Sequence, residues 1–435
     1  MREVSMKYLF KAFVCIGLCP LVICLLAGCG NPMKEGYYHH ADVSGEIITY
    51  TVMPRMEGST GSVIGTVLTG GMKISTIVAS IPSGEIFVDY ENYFKLFFSD
   101  DGTQVLKEVR QPTPYGMKDV HLKMCNTNDD SVVWQSALAF DNRMTQPVRA
   151  IWDKAGDRLL LGFINISEMQ TPRSEMPGGN TNKDNGEGES RMVIVLRLSD
   201  GQELARIKLR ITSTARWDMY LRFMDYGGGR IFVASKHDPL AEKQDNSGDK
   251  MSIYAIEPIT KEVKCFDLGD NAPGFNSSFY VTEAGDKIFF ESEGKQFHER
   301  IFELDTNSGE SRVLSEGADQ GESCRLEDIT PDGSKLCLMR TSYSRESGST
   351  ITNPAVLDVA SGEVRILESS LPDNKLGFYE CAITSSGKYI IGFTIDSDIW
   401  VYDVEKGTGK VLISQDKKTM IFNPQIPGQG NEGLF

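Results

Sequence analysis

The sequence predicts an all-β protein, specifically a β-propeller of four-stranded antiparallel blades. Three observations favour this fold: a recurring strand–turn–strand phrase with glycine in its turn, a second phrase that alternates with the first, and a regular spacing between the copies. Each pair of phrases supplies two hairpins and therefore four strands. Self-similarity of this kind, with four strands in each unit, is typical of propeller blades.

The first phrase is clearest at residues 326–340, where two apolar runs flank Pro331-Asp332-Gly333. Glycine is favoured in this turn because a tight connection between two strands usually requires a positive φ angle. The turn glycines recur at broadly even intervals along the chain, and they are Gly45, Gly102, Gly156, Gly228, Gly285, Gly333 and Gly387.

The second phrase is clearest at residues 355–364, AVLDVASGEV. Together the two phrases predict seven blades, although six or eight stay open because the unit at 37–90 is irregular. Relatives of the second phrase occur at 77–88, 195–207, 253–266, 301–314 and 399–413, with a weaker copy at 124–138.

The alternation of PDGSKL with LDVASGEV resembles the WD40-like, TolB-type β-propeller repeats of exported bacterial proteins, over about residues 40–415. The resemblance implies the propeller fold and says little about function, since such propellers are mostly binding platforms but include enzymes. The sequence departs from true WD40 repeats. It has no recurrent Gly-His, and Trp-Asp occurs only at Trp152-Asp153 and Trp217-Asp218.

The N-terminal segment 1–28 predicts an export signal. Basic residues precede an apolar run at 12–26, which is too short for a comfortable membrane span. The run ends in Leu26-Ala27-Gly28-Cys29, which resembles the lipobox of bacterial lipoproteins. This resemblance implies that Cys29 is diacylated and becomes the new N-terminus. Two acyl chains are what stable anchoring requires, so we expect the protein to be held on the extracytoplasmic side of the cell membrane.

The chain is therefore expected to divide into a lipoprotein signal peptide (1–28), a short tether (29–40), a propeller domain (41–415) and a C-terminal tail (416–435). The tail contains Met420-Ile421-Phe422, which could pair with the first blade and close the ring. Such pairing would remove an exposed strand edge.

The charge of the chain is −15, and removal of the segment 1–28, which carries a net charge of +2, would leave −17. An acidic surface argues against a nucleic-acid partner and against electrostatic adhesion to anionic lipid. Of the nine cysteines, Cys337 and Cys265 lie in apolar runs and are expected to be buried thiols. A single bridge, such as Cys324 with Cys381, stays open.

Three polar insertions, at 167–190, 236–250 and 342–353, are predicted to lie between the second and third strands of their blades. Connections of that kind share one face of a propeller with the connections between blades. Loops that a rigid scaffold holds on one side are where binding normally occurs. The candidate ligand-binding residues on this loop-bearing face are Arg216, Trp217, His237 and Tyr343.

The sequence favours a non-catalytic scaffold that binds a protein or a small molecule through this face. The alternative is a propeller enzyme, lactonase-like or glycan-processing, with its site at the mouth of the central channel. Acids such as Asp218 and Glu380 could converge there, because a ring brings distant residues together. We predict no specific catalytic residue, no cofactor and no metal site, since the five histidines lack ligand spacing and no Gly-x-Ser-x-Gly motif is present.

Overall fold

The computed structural model contains seven antiparallel sheets. They are the blades of a β-propeller, so the predicted fold class and the number of blades are confirmed. The structure describes residues 36–39, 46–54, 75–91, 96–109, 119–139, 149–164, 189–211, 224–241, 250–273, 279–293, 299–315, 322–344, 349–367, 378–394, 398–414 and 419–425.

Within these described ranges, twenty-nine strands build the seven blades. Blade 1 contains β1 (Gly36–His39), β2 (Ile47–Pro54), β3 (Ser75–Ser80), β4 (Ile86–Glu91) and β29 (Thr419–Gln425). Blade 2 contains β5 (Leu96–Phe98), β6 (Gln104–Val109), β7 (Asp119–Asn126) and β8 (Val132–Ala139). Blade 3 contains β9 (Arg149–Asp153), β10 (Arg158–Ile164), β11 (Glu189–Arg197) and β12 (Glu203–Ile211). Blade 4 contains β13 (Met224–Gly227), β14 (Arg230–Ser235), β15 (Ser252–Ile256) and β16 (Val263–Phe266).

The last three blades also have four strands each. Blade 5 contains β17 (Phe279–Val281), β18 (Lys287–Glu293), β19 (Glu299–Asp305) and β20 (Ser311–Ser315). Blade 6 contains β21 (Glu322–Ile329), β22 (Lys335–Ser344), β23 (Ser349–Asp358) and β24 (Val364–Ile366). Blade 7 contains β25 (Phe378–Ile383), β26 (Tyr389–Thr394), β27 (Ile399–Asp403) and β28 (Thr408–Ile413).

Within each of blades 2 to 7 the four strands, here called a to d, lie side by side in sequence order. Strand a is innermost and strand d is at the rim, and burial follows this order. Every residue of the a strand β17 is buried, whereas every residue of the d strand β24 is exposed. Strand a of a propeller borders the central channel, so its side chains are the ones that meet near the axis.

Blade 1 is completed by the C-terminal strand. β29 pairs antiparallel with β2, with Val52 opposite Ile421 and Met53 opposite Met420. The sheet order is β1-β4-β3-β2-β29, so β29 takes the place of strand a and β1 adds a fifth strand at the rim. The two ends of the described chain thus share the sheet of blade 1, and the main-chain hydrogen bonds between β29 and β2 close the ring.

The core lies between neighbouring blades, which explains why the b and c strands are apolar on both faces. In β10, Leu159 and Leu161 pack with blade 2, while Leu160 packs with blade 4. Successive residues of a strand point to opposite faces, so a strand buried on both sides has no polar alternation. A comparable cluster joins blade 7 to blade 1 and includes Ile48 and Ile399.

Two expectations from the sequence need correction, one about the burial of a cysteine and one about a loop. Cys337 is fully buried as predicted, but Cys265 is exposed, because it lies on β16, a d strand at the rim. The insertion expected as a loop at 342–353 is largely a hairpin. In it β22 and β23 pair as far as Ser344 opposite Ser349. The β-branched residues of this segment favour extended structure.

Helical structure is almost absent from the described ranges, where a single 3-10 turn, Gly269–Asn271, follows blade 4. No described helix has the length and apolar character needed to span a membrane.

Candidate functional site

The two faces of the propeller differ in the length of their connections. The a–b and c–d turns are uniformly short, and both kinds lie on one face, here called the turn face. The b–c and d–a connections lie on the opposite face, here called the loop face. The b–c connections range from the short 345–348 of blade 6 to the long 165–188 of blade 3. Length variation among the connections within blades is therefore concentrated on the loop face, the side on which the candidate residues were predicted.

Two of the four candidate ligand-binding residues fall within the described chain, and both are at the loop face. His237 follows the end of β14 and is half-buried. Its backbone N–H donates to Ser235 Oγ at 3.3 Å. Tyr343 lies near the end of β22, opposite Thr350, in a strand rather than in the predicted loop. These two residues belong to blades 4 and 6 and do not share a blade.

The other two candidates, Arg216 and Trp217, lie outside the described residues, as do Asp218 and the lipobox Cys29. Glu380, the second acid proposed for the channel mouth, lies in β25 and is half-buried.

The start of the blade 4 loop is fixed on blade 3. Arg210, near the end of β12, donates its backbone N–H to Pro239 O at 2.9 Å and its Nη1–H to Ala241 O at 3.0 Å. Asp238 Oδ1 accepts the N–H of Leu240 at 2.9 Å and shapes the turn. His237 thus lies between the end of β14 and a backbone segment that blade 3 holds in place.

On the turn face, the a–b turns of consecutive blades are joined to one another. The N–H of Gly228 donates to Glu283 O at 2.8 Å, and the N–H of Glu283 donates to Pro331 O at 2.8 Å. These residues belong to the turns of blades 4, 5 and 6. The chain of hydrogen bonds therefore runs from blade to blade around the axis and forms part of the rim of the channel mouth.

Acidic and basic side chains meet at this mouth. Asp100 and Lys154 precede their turn glycines by two positions in blades 2 and 3, as Glu283 does in blade 5. Lys154 Nζ lies 2.5 Å from Asp101 Oδ2. Glu283 lies near enough to Asp100 to act on its pKa, although two blades separate them around the ring. The turns thus bring together charges that are far apart in the sequence.

The two neighbouring aspartates have opposite pKa shifts. Desolvation by the crowded mouth raises the pKa of Asp100 to about 6, against the attraction of Lys154 and with repulsion from Asp101 and Glu283. Partial burial would also raise the pKa of Asp101. Hydrogen bonds from Lys154, Ser99 and Thr103 outweigh it and hold that pKa well below its ordinary value. Part of the Asp100 residue is exposed to solvent, while the surrounding turns desolvate its carboxyl group.

The β-propeller domain of the trilobed protease from Pyrococcus furiosus is similar to this chain in structure. The two share 11% identity over 87% of this chain and 98% of that one, with a TM-score of 0.51. The acylaminoacyl peptidase of Pyrococcus horikoshii is also similar, at 13% identity and a TM-score of 0.54. That match covers 88% of this chain and 53% of the peptidase, so the chain spans about half the length of that enzyme.

TolB from Acinetobacter baumannii is a third similar structure, at 13% identity over 86% of this chain and 82% of that one, with a TM-score of 0.40. The sequence matches no protein-family profile and is not significantly similar to any curated protein. The likeness to the solved structures therefore concerns the fold alone.

Within the described part of the chain, no group of three or more His, Cys, Asp or Glu side chains is arranged to hold a metal ion. The charged residues at the channel mouth are instead paired or coupled with Lys154 or with each other.

The sequence did contain a signal for the channel mouth that the sequence analysis missed. When the first phrase is aligned on its glycine, the position two places earlier is charged in three of the seven copies. In chain order it holds Val43, Asp100, Lys154, Tyr226, Glu283, Pro331 and Ser385. Because this position begins the turn at the end of strand a, its side chains lie near one opening of the ring. Charged residues at this position in three blades are a pattern that alignment of the repeats would have found.

Proposed function

We propose that the chain is an exported lipoprotein whose propeller serves as a non-catalytic scaffold for a protein or small-molecule ligand. In this proposal Cys29 carries the lipid anchor, and the loop face binds the ligand. The support for the anchor is the leader sequence described above, with its short apolar run and its lipobox-like end.

One observation supports the binding role most directly: the contrast between the two faces. The turns of the turn face differ little in length, whereas the b–c connections of the loop face extend from the short 345–348 to the long 165–188. A rigid frame carries these connections, because packed clusters join adjacent blades. A rigid frame with variable loops on one side is the usual arrangement of a binding platform.

The test of binding is co-purification from detergent-solubilised membranes with substitutions on the two faces. Alanine variants on the loop face are expected to lose a stoichiometric partner. Matched alanine variants of exposed residues on the turn face, Asp200 and Ser361, are expected to retain it. Retention by the loop-face variants, with loss in the turn-face variants, would contradict the proposal. The loop-face residues to replace are Arg216, Trp217, His237 and Tyr343.

The anchor has a separate test. Cys29→Ser should move the protein from the membrane fraction to the soluble fraction and abolish incorporation of a labelled fatty acid. A matched leader variant, Cys24→Ser, should change neither property. Labelling that persists in the Cys29→Ser variant would show that the lipid is attached elsewhere.

A second candidate function is that of a propeller enzyme with its site at the channel mouth of the turn face. The observation in its favour is Asp100, a carboxyl with a pKa of about 6 beside Asp101, Lys154 and Glu283. A carboxyl whose pKa lies near the working pH is suited to general acid–base chemistry. If a hydrolase or lyase assay finds an activity, Asp100→Asn should abolish it and His237→Ala should not. The opposite result would place that activity at the loop face.

A further inference from the structure

Two cysteines from neighbouring blades lie side by side in the core. Cys337 is in β22 of blade 6 and Cys381 is in β25 of blade 7, and both are fully buried. Their sulfur atoms are 3.1 Å apart, although the two residues belong to different sheets. Cys381 Sγ also lies 3.6 Å from Leu338 O. Both cysteines belong to the cluster that packs blade 6 against blade 7.

We propose that Cys337 and Cys381 form a disulfide bond that joins blades 6 and 7 in the mature protein. The sheets hold both strands in place and so keep the two sulfur atoms close together. Their separation exceeds the roughly 2.05 Å of a covalent S–S bond by only about 1 Å. The partner of Cys381 is thus Cys337, rather than the Cys324 that the sequence analysis considered. The other cysteines of the described residues are Cys125, Cys265 and Cys324.

The bond requires an external oxidant, for which a small organic disulfide or an oxidised dithiol protein is sufficient. One cysteine thiolate attacks the oxidant and forms a mixed disulfide, and one thiol leaves. The second cysteine then attacks the mixed disulfide, so that the S–S bond between Cys337 and Cys381 forms and a second thiol leaves. Two protons and two electrons pass from the cysteines to the oxidant, which is reduced to two thiols.

Burial determines when this reaction can occur. In the closed ring, desolvation raises the pKa of Cys337 and of Cys381, so both stay protonated and cannot act as nucleophiles. Neither sulfur can be reached by an oxidant once blades 6 and 7 have packed. The bond therefore forms during folding, while the two blades are still separating and rejoining, and the finished core then protects it from reductants.

The test is to refold the reduced, denatured full chain with glutathione disulfide, block free thiols at acid pH, digest with trypsin and analyse the peptides by mass spectrometry. Trypsin places the three cysteines of this region on separate peptides: 313–325 carries Cys324, 336–340 carries Cys337 and 376–388 carries Cys381. We expect the peptides 336–340 and 376–388 to be recovered as a disulfide-linked pair that reduction separates. Recovery of both as blocked single peptides, or a link from Cys324 to Cys381, would overturn the proposal.

A second measurement checks that the bond stabilises the folded protein. We expect the oxidised chain to unfold at a temperature about 5 °C higher than the reduced chain. Cys381→Ala should remove this difference between the oxidised and reduced forms, whatever its own stability. Cys125→Ala, the matched change of a buried cysteine in blade 2, should preserve it. An equal difference in the Cys381→Ala variant would mean that another pair is responsible.

Oxidation in the cell rests additionally on the proposed exported location, since cytosolic thiols are kept reduced. The chain with its leader should carry the linked peptides in cells, and a variant that lacks the segment 1–28 should not. If refolding in vitro produces the bond but the chain with its leader stays reduced in cells, the exported location is wrong and the pairing stands. If refolding fails to produce it, the pairing is wrong whatever the location.

Discussion

Asp225 and Asp328 occupy equivalent positions in the innermost strands of blades 4 and 6, and each hydrogen-bonds the backbone of the following blade. Asp225 Oδ2 accepts the N–H of Val281 at 2.8 Å, and Asp328 Oδ2 accepts the N–H of Ile383 at 3.0 Å. Between these two interfaces, at the same position in blade 5, Tyr280 donates its hydroxyl to Glu327 O in blade 6. One position of the repeat thus provides a polar link between adjacent blades three times in succession.

The first prediction concerns Asp225, which links three blades because its Oδ1 also accepts Arg149 Nη2–H from blade 3 at 3.0 Å. Asp225→Ala leaves the buried guanidinium of Arg149 without this carboxylate and removes the acceptor of Val281 N–H. We expect the free energy of unfolding to fall by about 3–5 kcal/mol, as for other buried ion pairs that lose one partner. Urea denaturation followed by tryptophan fluorescence measures the change.

The matched control for Asp225 is Asp200→Ala, which removes the carboxylate of an exposed pair with Arg197 in a c–d turn of blade 3. Exposed pairs contribute little because solvent screens them, so the control should unfold near the wild-type midpoint. Equal losses in the two variants would mean that the interblade link has no special role.

The second prediction compares two turn glycines with similar backbone angles. Gly333 has φ +66°, and a Cβ there would lie 2.7 Å from Thr282 Cγ2 and 2.8 Å from Phe289 Cε2 of blade 5. Gly309 has φ +78°, and a Cβ there would meet nothing within 4 Å. We expect Gly309→Ala to cost about 1 kcal/mol in backbone strain, and Gly333→Ala about 2–4 kcal/mol because overpacking is added.

Thermal unfolding of the two glycine variants side by side provides the measurement, since each variant serves as the other's control. The difference between them isolates the packing of one turn against the preceding blade. If the two melting temperatures fell equally, glycine would be required at Gly333 for its backbone angle alone.

The repeats predicted the fold because their sequence pattern is local. A turn such as Pro331-Asp332-Gly333 is specified by residues that are adjacent in the chain, and its regular recurrence sets the number of blades. Links between blades are not local. Asp225 and Asp328 are equivalent only after the strands have been aligned by their pairing, and their partners, Val281 and Ile383, contribute backbone atoms that carry no sequence signal.

Three features of the structure depend on the assembled blades and could not be predicted from single repeats. Cys265 lies in an apolar run, but the run forms a d strand at the rim, and position within a blade decides its exposure. The polar segment 342–353 was expected to be a loop, but its described residues belong to β22 and β23, which pair as far as Ser344 opposite Ser349. The charged mouth at Asp100 and Glu283 was missed because their proximity arises from ring closure, which no single repeat encodes.

The third prediction concerns the C-terminal strand β29. Deletion of the segment 419–435 removes the partner of β2 and leaves its edge without main-chain hydrogen bonds. We expect a lower melting temperature and self-association, because the ring loses the strand that closes it and the edge of β2 can then pair with another chain. Light scattering coupled to size-exclusion chromatography measures the association.

The control for β29 is deletion of the segment 426–435 alone, which preserves every pair between β2 and β29. This shorter deletion should remain monomeric to the same extent as the full chain. Association in both deletions would assign the effect to the segment 426–435 rather than to the edge of β2.

The fourth prediction follows from the pKa of Asp100, about 6 in the folded protein against an ordinary 3.8. Between these two values the folded state binds more protons than the unfolded state, so Asp100 makes stability fall as the pH rises through this window. The destabilisation caused by charged Asp100 is fully present above about pH 6 and absent below about pH 4. Asp100→Asn removes the charge, so the variant should melt at a higher temperature than wild type at neutral pH, and the gain should disappear on acidification.

Asp101→Asn provides the opposite case and completes the test of the channel mouth. The pKa of Asp101 is depressed, so its charged form stabilises the folded protein, and this contribution is lost as the pH falls through the acid range. The asparagine variant should therefore melt at a lower temperature than wild type at neutral pH. Carbon-13 NMR of the aspartate carboxyls should show one midpoint near 6 that Asp100→Asn removes. A neutral-pH loss of stability in Asp100→Asn, or an ordinary midpoint for its carboxyl, would mean that the turns do not crowd Asp100 at the mouth.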